Sequence, residues 1–197
     1  MGDLTGRPPA RRRGRPAAEP PDAGAAAQDA EPDPESVARA IVLRRLTGAP
    51  QSRAQLAEAL ARRDVPEDVA SRVLDRFTEV GLVDDQEYAR ILVRSRHAER
   101  GLSRRALAVE LRRKGIDDET AATALAGVDD DDEEHAAREI VRRRLRSTAG
   151  LDRDVRVRRV YGVLGRKGYP GGLVARLVRE ELAAEGDVDG DGADEAP

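Results

Sequence analysis

The sequence predicts an all-α protein of three tandem three-helix repeats, and three observations support this. A short motif of alanine, arginine and aliphatic residues occurs three times, at 38–42, 89–93 and 137–141. Each copy is followed by two apolar residues four positions apart, at 56 and 60, 107 and 111, and 160 and 164. The apolar spacing within each copy is helical and shows no alternation of period two. Repeats of about 50 residues are typical of stacked helical units, which cannot bury their apolar faces alone.

The three copies share one register with a single insertion. Fourteen residues separate the last valine of the motif from the first apolar residue of the pair in the first two copies, at 42 to 56 and 93 to 107. In the third copy Val141 and Val160 are 19 residues apart. We therefore expect five extra residues in the connection between the first two helices of the third repeat.

Capping residues separate three predicted helices in the first repeat. The first helix runs from Val37 through Leu46 and is ended by Gly48. Ser52 is a good N-cap for the second helix, and Pro66 opens the third at the first helical position, where proline is tolerated. The remaining apolar and stop positions are Ile41, Val42, Leu56, Leu60, Val69, Val73, Phe77 and Gly81.

The second and third repeats place different residues at the equivalent helix ends. Asp84 and Asp85 open the first helix of the second repeat, Ser103 caps its second helix and Gly115 follows that helix at C′. The other predicted start and stop signals are Asp117 to Glu119, Asp129 to Glu134, Gly168 and Pro170.

Asp64 fits this scheme least well. It stands where the second and third repeats have Gly115 and Gly168. Residues other than glycine are disfavoured in the left-handed conformation, so the turn of the first repeat is less well specified than the other two.

Composition divides the chain into a core and two tails. Residues 1–34 are rich in alanine, proline and arginine, and 185–197 are rich in acids and glycine, so we predict both to be disordered. The predicted repeats are 35–82, 83–128 and 129–184. The core has 30 basic residues against 26 acidic ones, whereas the C-terminal tail has six acids and no base. We expect this acidic tail to compete with DNA or an acidic partner for the basic core.

The sequence also argues against several classes of function. The chain has no cysteine, which excludes disulfides and thiolate metal sites. Its apolar runs fall well short of the roughly 18 residues that cross a bilayer, so we expect a cytoplasmic protein without membrane contact. The glycines of 165–172 lack the lysine and hydroxyl ending of a phosphate loop. We predict no catalytic, cofactor-binding or metal-binding residue, no cofactor and no enzymatic activity.

The middle repeat contains a specific series of short elements. These are Leu-x-Asp-Asp within 81–89, Arg-Ser-Arg within 93–96, Gly101, and Lys-Gly-Ile within 111–116. In this order and spacing they resemble the signature of the RecX family, bacterial regulators of the RecA recombinase. The similarity spans 35–184 and implies that the repeats stack in an elongated, curved array. Tyr88 stands where many relatives have phenylalanine, and the N-terminal extension lies outside the family core.

The resemblance implies a regulator that acts by binding. Family members bind RecA, are thought to lie along the groove of its filament or at the filament end, and curb ATP hydrolysis, strand exchange and co-protease activity. We accordingly expect RecA as the partner of a monomeric protein that acts in homologous recombination, DNA repair and the SOS response.

Basic clusters recur at equivalent points of the repeats. If stacking aligns them, they form a stripe that contacts phosphates or acidic patches; alternatively, they are solvated helix faces paired with nearby acids. The candidate RecA- or DNA-binding residues are Arg94, Arg96, Arg104, Arg105, Arg112, Arg113, Lys114, Arg142, Arg143, Arg144, Arg166 and Lys167.

The alternative function is a sequence-nonspecific DNA-binding helical module. Contacts between arginines and phosphates would make such binding weak and sensitive to salt. The N-terminal segment Arg11 to Pro16 also contains the Arg-Gly-Arg-Pro core of minor-groove hooks, although four residues of this kind arise easily by chance in such a tail.

Overall fold

The computed structural model describes residues 33–190, with side chains up to Glu185. This part of the chain contains helices and no strands, which confirms the all-α prediction. The helices are α1 (Pro34–Gly48), α2 (Arg53–Ala61), α3 (Glu67–Glu79), α4 (Asp85–Arg100), α5 (Arg104–Arg113), α6 (Asp118–Leu125), α7 (Asp130–Arg146), α8 (Arg153–Arg166) and α9 (Gly171–Gly190).

Each set of three helices encloses its own apolar core. Three separate clusters of buried residues form, one for each repeat; Val83, the first residue of the predicted second repeat, packs in the cluster of the first. The repeated sequence positions are the centres of these clusters, because Val42, Leu56, Leu107, Val141 and Val160 are all fully buried. The same few positions therefore specify the core three times over, as the repeat predicts.

The predicted caps are present, with two differences in detail. Ser52 and Ser103 accept hydrogen bonds from the backbone N–H groups three residues on, and Asp84 caps α4 in the same way. Pro66 is the N-cap of α3 and not its first helical residue, so α3 begins one residue later than predicted, at Glu67. The five extra residues of the third repeat are only partly in the connection, since α8 begins seven residues before Val160 and so gains a turn at its N-terminal end.

The left-handed turn between the second and third helices recurs in all three repeats. Gly115 and Gly168 have φ values of +75° and +86°, and Asp64 adopts +57° in the equivalent turn. Asp64 is thus the one non-glycine residue with positive φ among the described residues. The first repeat accepts a conformation that glycine adopts with less strain.

Successive repeats meet through a joint that occurs twice with the same design. In the first joint, the Ser52 hydroxyl donates to the carbonyl oxygen of Lys114 at 2.5 Å, and the Arg53 N–H donates to the Asp85 carboxylate at 2.8 Å. In the second joint, the Ser103 N–H donates to the carbonyl oxygen of Lys167 at 3.0 Å. The Arg104 N–H donates to Glu133 at 3.0 Å. The second helix of the first repeat and that of the second repeat are therefore each capped in part by a carboxylate of the next repeat.

Two glycines permit the close approach of backbones at these joints. A β-carbon on Gly115 would lie 2.2 Å from Cβ of Ala54, and one on Gly168 would lie 2.6 Å from Oγ of Ser103. Each glycine satisfies two requirements at once, a left-handed backbone and direct contact with the helix start of the preceding repeat.

An ion-pair network joins α7 to α9. Arg138 contacts Glu134 at 2.8 Å and Glu181 at 3.0 Å, and Arg176 contacts Glu134 from the α9 side. These guanidinium groups lower the pKa of Glu134 to about 2.

The predicted boundary of the third repeat lies inside α9, which continues to Gly190. Glu185, the first residue of the predicted tail, pairs with Arg156 at 2.6 Å. Residues 1–32 and 191–197, which include the hook-like segment and the end of the acidic tail, lie outside the described residues.

Candidate functional site

Five of the candidate basic residues have carboxylate partners within the protein. Arg104 contacts Asp130 at 2.7 Å and Arg96 contacts Glu110 at 3.1 Å, and both pairs link different helices. Arg142 contacts Glu181 at 2.8 Å as part of the α7–α9 network. Arg94 with Glu87 and Arg112 with Asp118 form more exposed pairs, at 3.4 and 3.3 Å. For these five residues, the alternative of paired helix faces describes the structure.

The other candidates gather on one surface at the joint between the second and third repeats. In the described part of the chain none of them has an ion pair to a carboxylate. One depression of this surface lies between α5 and the end of α8. Its basic lining residues are Arg100, Arg105, Arg113, Lys114 and Arg166, and exposed Val109 forms part of its floor.

A second depression adjoins the first and shares Arg100 with it. It lies between the end of α4, α7 and α8, and its other basic lining residues are Arg143, Arg144 and Lys167. Burial, together with the charges of Arg100 and Arg143, lowers the pKa of Lys167. Its ammonium donates to the carbonyl oxygen of Arg100. Such mutual repulsion favours the approach of an anion, which would relieve it.

Arg144 adds a directional feature to this depression. Its Nε atom is buried and has no hydrogen-bond partner among the described residues. Buried donors in folded proteins are normally satisfied, so this N–H is one of two exceptions among the described residues, with Nε of Arg156.

We call the eight cations of the two depressions the basic face: Arg100, Arg105, Arg113, Lys114, Arg143, Arg144, Arg166 and Lys167. Seven of them are sequence candidates, and Arg100 is an addition. The sequence signal for Arg100 is its place in the last turn of α4, directly before the left-handed Gly101, where basic side chains are common.

The described residues contain neither a cluster of histidine and acidic side chains suited to a metal ion nor a helix long and apolar enough to cross a membrane.

Tyr169 is the most strongly perturbed buried titratable group of the joint. Burial raises its pKa to about 12, and its hydroxyl donates to the carbonyl oxygen of Gly101 at 3.1 Å. It therefore has a structural role at the joint.

Comparisons with known proteins agree with the architecture repeat by repeat. The sequence models of the first, second and third three-helix domains of RecX match residues 38–77, 84–125 and 131–178. The chain is 53% identical over 173 residues to a protein named regulatory protein RecX from Thermobifida fusca, a match that covers 84% of this chain and 94% of that protein. A protein of the same name from Mycobacterium ulcerans is 49% identical over 158 residues, covering 80% of this chain and 91% of the relative.

Solved structures show the same fold at lower sequence identity. The crystal structure of RecX from Lactobacillus salivarius superposes with a TM-score of 0.67 at 20% identity, covering 75% of this chain and 96% of that one. A second crystal structure, of a regulatory protein RecX, superposes with a TM-score of 0.65 at 21% identity, covering 75% and 72%. Three matched domains in order and identities near 50% over most of the chain lead to one conclusion: the chain belongs to the RecX family of regulatory proteins.

Proposed function

We propose that this protein binds RecA and its nucleoprotein filament and modulates, mainly by inhibition, the recombinase, ATPase and co-protease activities of RecA. The basic face is the observation that carries the proposal. It gathers eight cations, without carboxylate partners among the described residues, at the joint of two repeats. A RecA–DNA filament presents negative charge repeatedly along its length, so a stack of repeats is suited to contact it at several points, in the groove or at the end.

The regulation requires no chemistry from this chain. Its relatives are named as regulatory proteins, and we assign it no catalytic group and no cofactor. We further propose that it acts as a monomer in the cytoplasm, where RecA filaments form, with the repeats 35–82, 83–128 and 129–184 as its structural units.

A second candidate function is favoured by the composition of the basic face itself. Guanidinium groups without carboxylate partners suit phosphate oxygens, so the protein is also a candidate sequence-nonspecific DNA-binding module. Such binding would weaken steeply as rising salt reduces the gain from counter-ion release.

The test is a titration of this protein into RecA that hydrolyses ATP on single-stranded DNA. A parallel titration measures binding of the protein to the same DNA without RecA. We expect inhibition at concentrations that leave most of the DNA unoccupied. Hydrolysis that remains unchanged, or falls only once the DNA is coated, would refute direct filament control and favour the second candidate.

A further inference from the structure

The six positions that line a crevice between the first two helices of the first repeat recur, with different residues, in the other two repeats. In the first repeat, a crevice between α1 and α2 is lined by six residues, Ile41, Arg44, Arg45, Ala59, Arg62 and Arg63. The repeat register gives their equivalents in the third repeat, where five line one depression and the sixth, Arg166, lies beside Arg144 in an adjoining one. These equivalents are Ile140, Arg143, Arg144, Val163, Arg166 and Lys167.

The first-repeat and third-repeat crevices have the same chemistry. Each has four cations and two apolar side chains at the six positions, and no carboxylate. In the first repeat, Arg45 reaches only the amide oxygen of Gln51, at 3.4 Å. Arg62 contacts Glu58 at 2.5 Å in an exposed i,i+4 pair outside the crevice lining, which is a weak and exchangeable interaction.

The third-repeat crevice has still fewer internal partners. Arg143, Arg144 and Arg166 form no ion pair with the described residues. Glu99 and Glu139 border this depression, and Glu139 is engaged by Arg142 at 3.3 Å. The buried Nε of Arg144 lacks an acceptor among the residues that the structure describes.

The middle repeat has a different version of the crevice. Its six equivalents are Leu92, Ser95, Arg96, Glu110, Arg113 and Lys114. Ser95 stands in place of an arginine, and Glu110 stands in place of Ala59 and Val163. Arg96 donates to Glu110 at 3.1 Å, so one cation is neutralised inside the crevice. Three cations and one carboxylate therefore replace the four cations of the outer repeats.

We propose that the first-repeat and third-repeat crevices are two equivalent binding sites for the phosphodiester groups of nucleic acid, and that the middle crevice is closed by its Arg96–Glu110 pair. A single carboxylate is satisfied by one guanidinium, as Glu110 shows. The first-repeat crevice has four cations over an apolar floor, and the third-repeat depression has three at the equivalent positions, with Arg166 in the adjoining one. Both sets exceed what one carboxylate needs. These cations suit a ligand that carries a negative charge at every unit of its chain, as a nucleic acid does at the phosphate of every nucleotide. This proposal rests on the second candidate function and not on binding to RecA.

Loss-of-charge variants test the two sites separately. The first-repeat variant is Arg44→Gln with Arg63→Gln, and the third-repeat variant is Arg143→Gln with Lys167→Gln at the equivalent positions. The matched control, Arg94→Gln with Arg112→Gln, removes the same charge from the middle repeat outside all three crevices. Binding of a fluorescein-labelled oligo-dT is measured by anisotropy across a salt series without RecA. Each crevice variant should lower the slope of log affinity against log salt by about 0.7 for every phosphate that the variant no longer neutralises, and the control should lower it by much less.

A gain-of-charge variant tests the closed crevice. Glu110→Ala installs the side chain that the first repeat has at Ala59 and releases Arg96. We expect tighter oligo-dT binding and a slope steeper by about 0.7, with an unchanged circular dichroism spectrum. Because Glu110 and Arg96 are partly exposed, at 22% and 37% of their side-chain area, the exchange leaves the core intact.

The outcomes separate this proposal from its rivals. Crevice variants that bind oligo-dT like the control, or a Glu110→Ala variant with an unchanged slope, would overturn it. Variants that lose inhibition of RecA ATP hydrolysis but keep the wild-type salt slope would overturn it too, and would assign the crevices to an acidic protein surface. Wild-type protein that binds oligo-dT through the crevices yet leaves RecA unaffected would sustain this proposal and refute the proposed function.

Discussion

Replacing Gly115 by alanine should uncouple the first repeat from the second. Gly115 lies at φ +75°, and its new β-carbon would fall 2.2 Å from Cβ of Ala54, a distance that no rotamer change can relieve. Left-handed strain costs about 1 kcal/mol or more, the enforced separation about 1 kcal/mol, and disruption of the Ser52–Lys114 hydrogen bond about 1 kcal/mol. We expect a total loss of about 3 kcal/mol, which for this chain length corresponds to a fall in Tm of about 9 °C.

Gly81 supplies the matched control for this substitution. It has φ +72°, but a β-carbon there would have no neighbour within 4 Å. Gly81→Ala therefore introduces the same backbone strain without disturbing a joint between repeats. We expect it to lower the free energy of unfolding by about 1 kcal/mol. The assay is urea unfolding followed by circular dichroism. The Gly115→Ala transition should also have a smaller m value, because repeats that no longer interact unfold less cooperatively. Equal losses and equal m values for the two variants would refute the account of the joint.

Two other perturbations have clear expected results. Asp64→Gly should raise the free energy of unfolding by roughly 0.5–1 kcal/mol because glycine adopts φ +57° with little strain, whereas Asp64→Ala should not; equal effects in urea unfolding would show that the turn is unstrained. The pKa of Glu134 is lowered from 4.5 to about 2, so its ion pairs with Arg138 and Arg176 contribute stability that is fully present above pH 4.5 and is lost as the pH falls towards 2. Glu134→Gln should thus lower Tm by a few degrees at neutral pH and have little effect near pH 2, while Asp131→Asn, in the same turn, should change Tm little at either pH. A pH-independent effect of Glu134→Gln would contradict this reasoning.

The fold follows from the sequence where local rules decide the structure. Ser52, Ser103 and Asp84 are recognisable as caps because each precedes an apolar helical stripe, and each caps its helix in the structure. The repeated register identifies the buried positions for the same reason, since one pattern must fill three similar cores. Asp64 is the exception among three equivalent turns: aspartate specifies the turn less well than glycine does, and the structure gives it the same left-handed conformation.

The joints between repeats cannot be read in the same way. The sequence predicts Asp85 and Glu133 as the first-turn acids of their own helices, yet each also accepts an N–H of the preceding repeat's second helix. Such a contact depends on how two repeats pack, and helical periodicity carries no information about it. The extra turn at the start of α8 is not predictable either, because the spacing fixes the number of inserted residues but not their conformation.

The sequence predicts which basic residues are candidates for the site, but not which of them lie together on one surface without carboxylate partners. Arg96 and Arg144 occupy the same repeat position, but Arg96 is paired with Glu110 while the Nε of Arg144 has no partner among the described residues. The distinguishing signal is present in the sequence, since Glu110 aligns with Ala59 and Val163 once the register is applied to the second helix. The sequence does not show that the first two helices of a repeat line one crevice, which is what allows Glu110 to pair with Arg96.

Binding to RecA filaments under conditions that suppress DNA binding tests the central claim most directly. RecA is assembled on single-stranded DNA with a slowly hydrolysed ATP analogue, at a salt concentration where this protein no longer binds the DNA alone, and the filaments are sedimented. The account predicts that the protein sediments with the filaments and that sedimentation saturates at a fixed ratio to RecA. If the filaments sediment but the protein remains in the supernatant, as it does when only DNA is present, the account is contradicted.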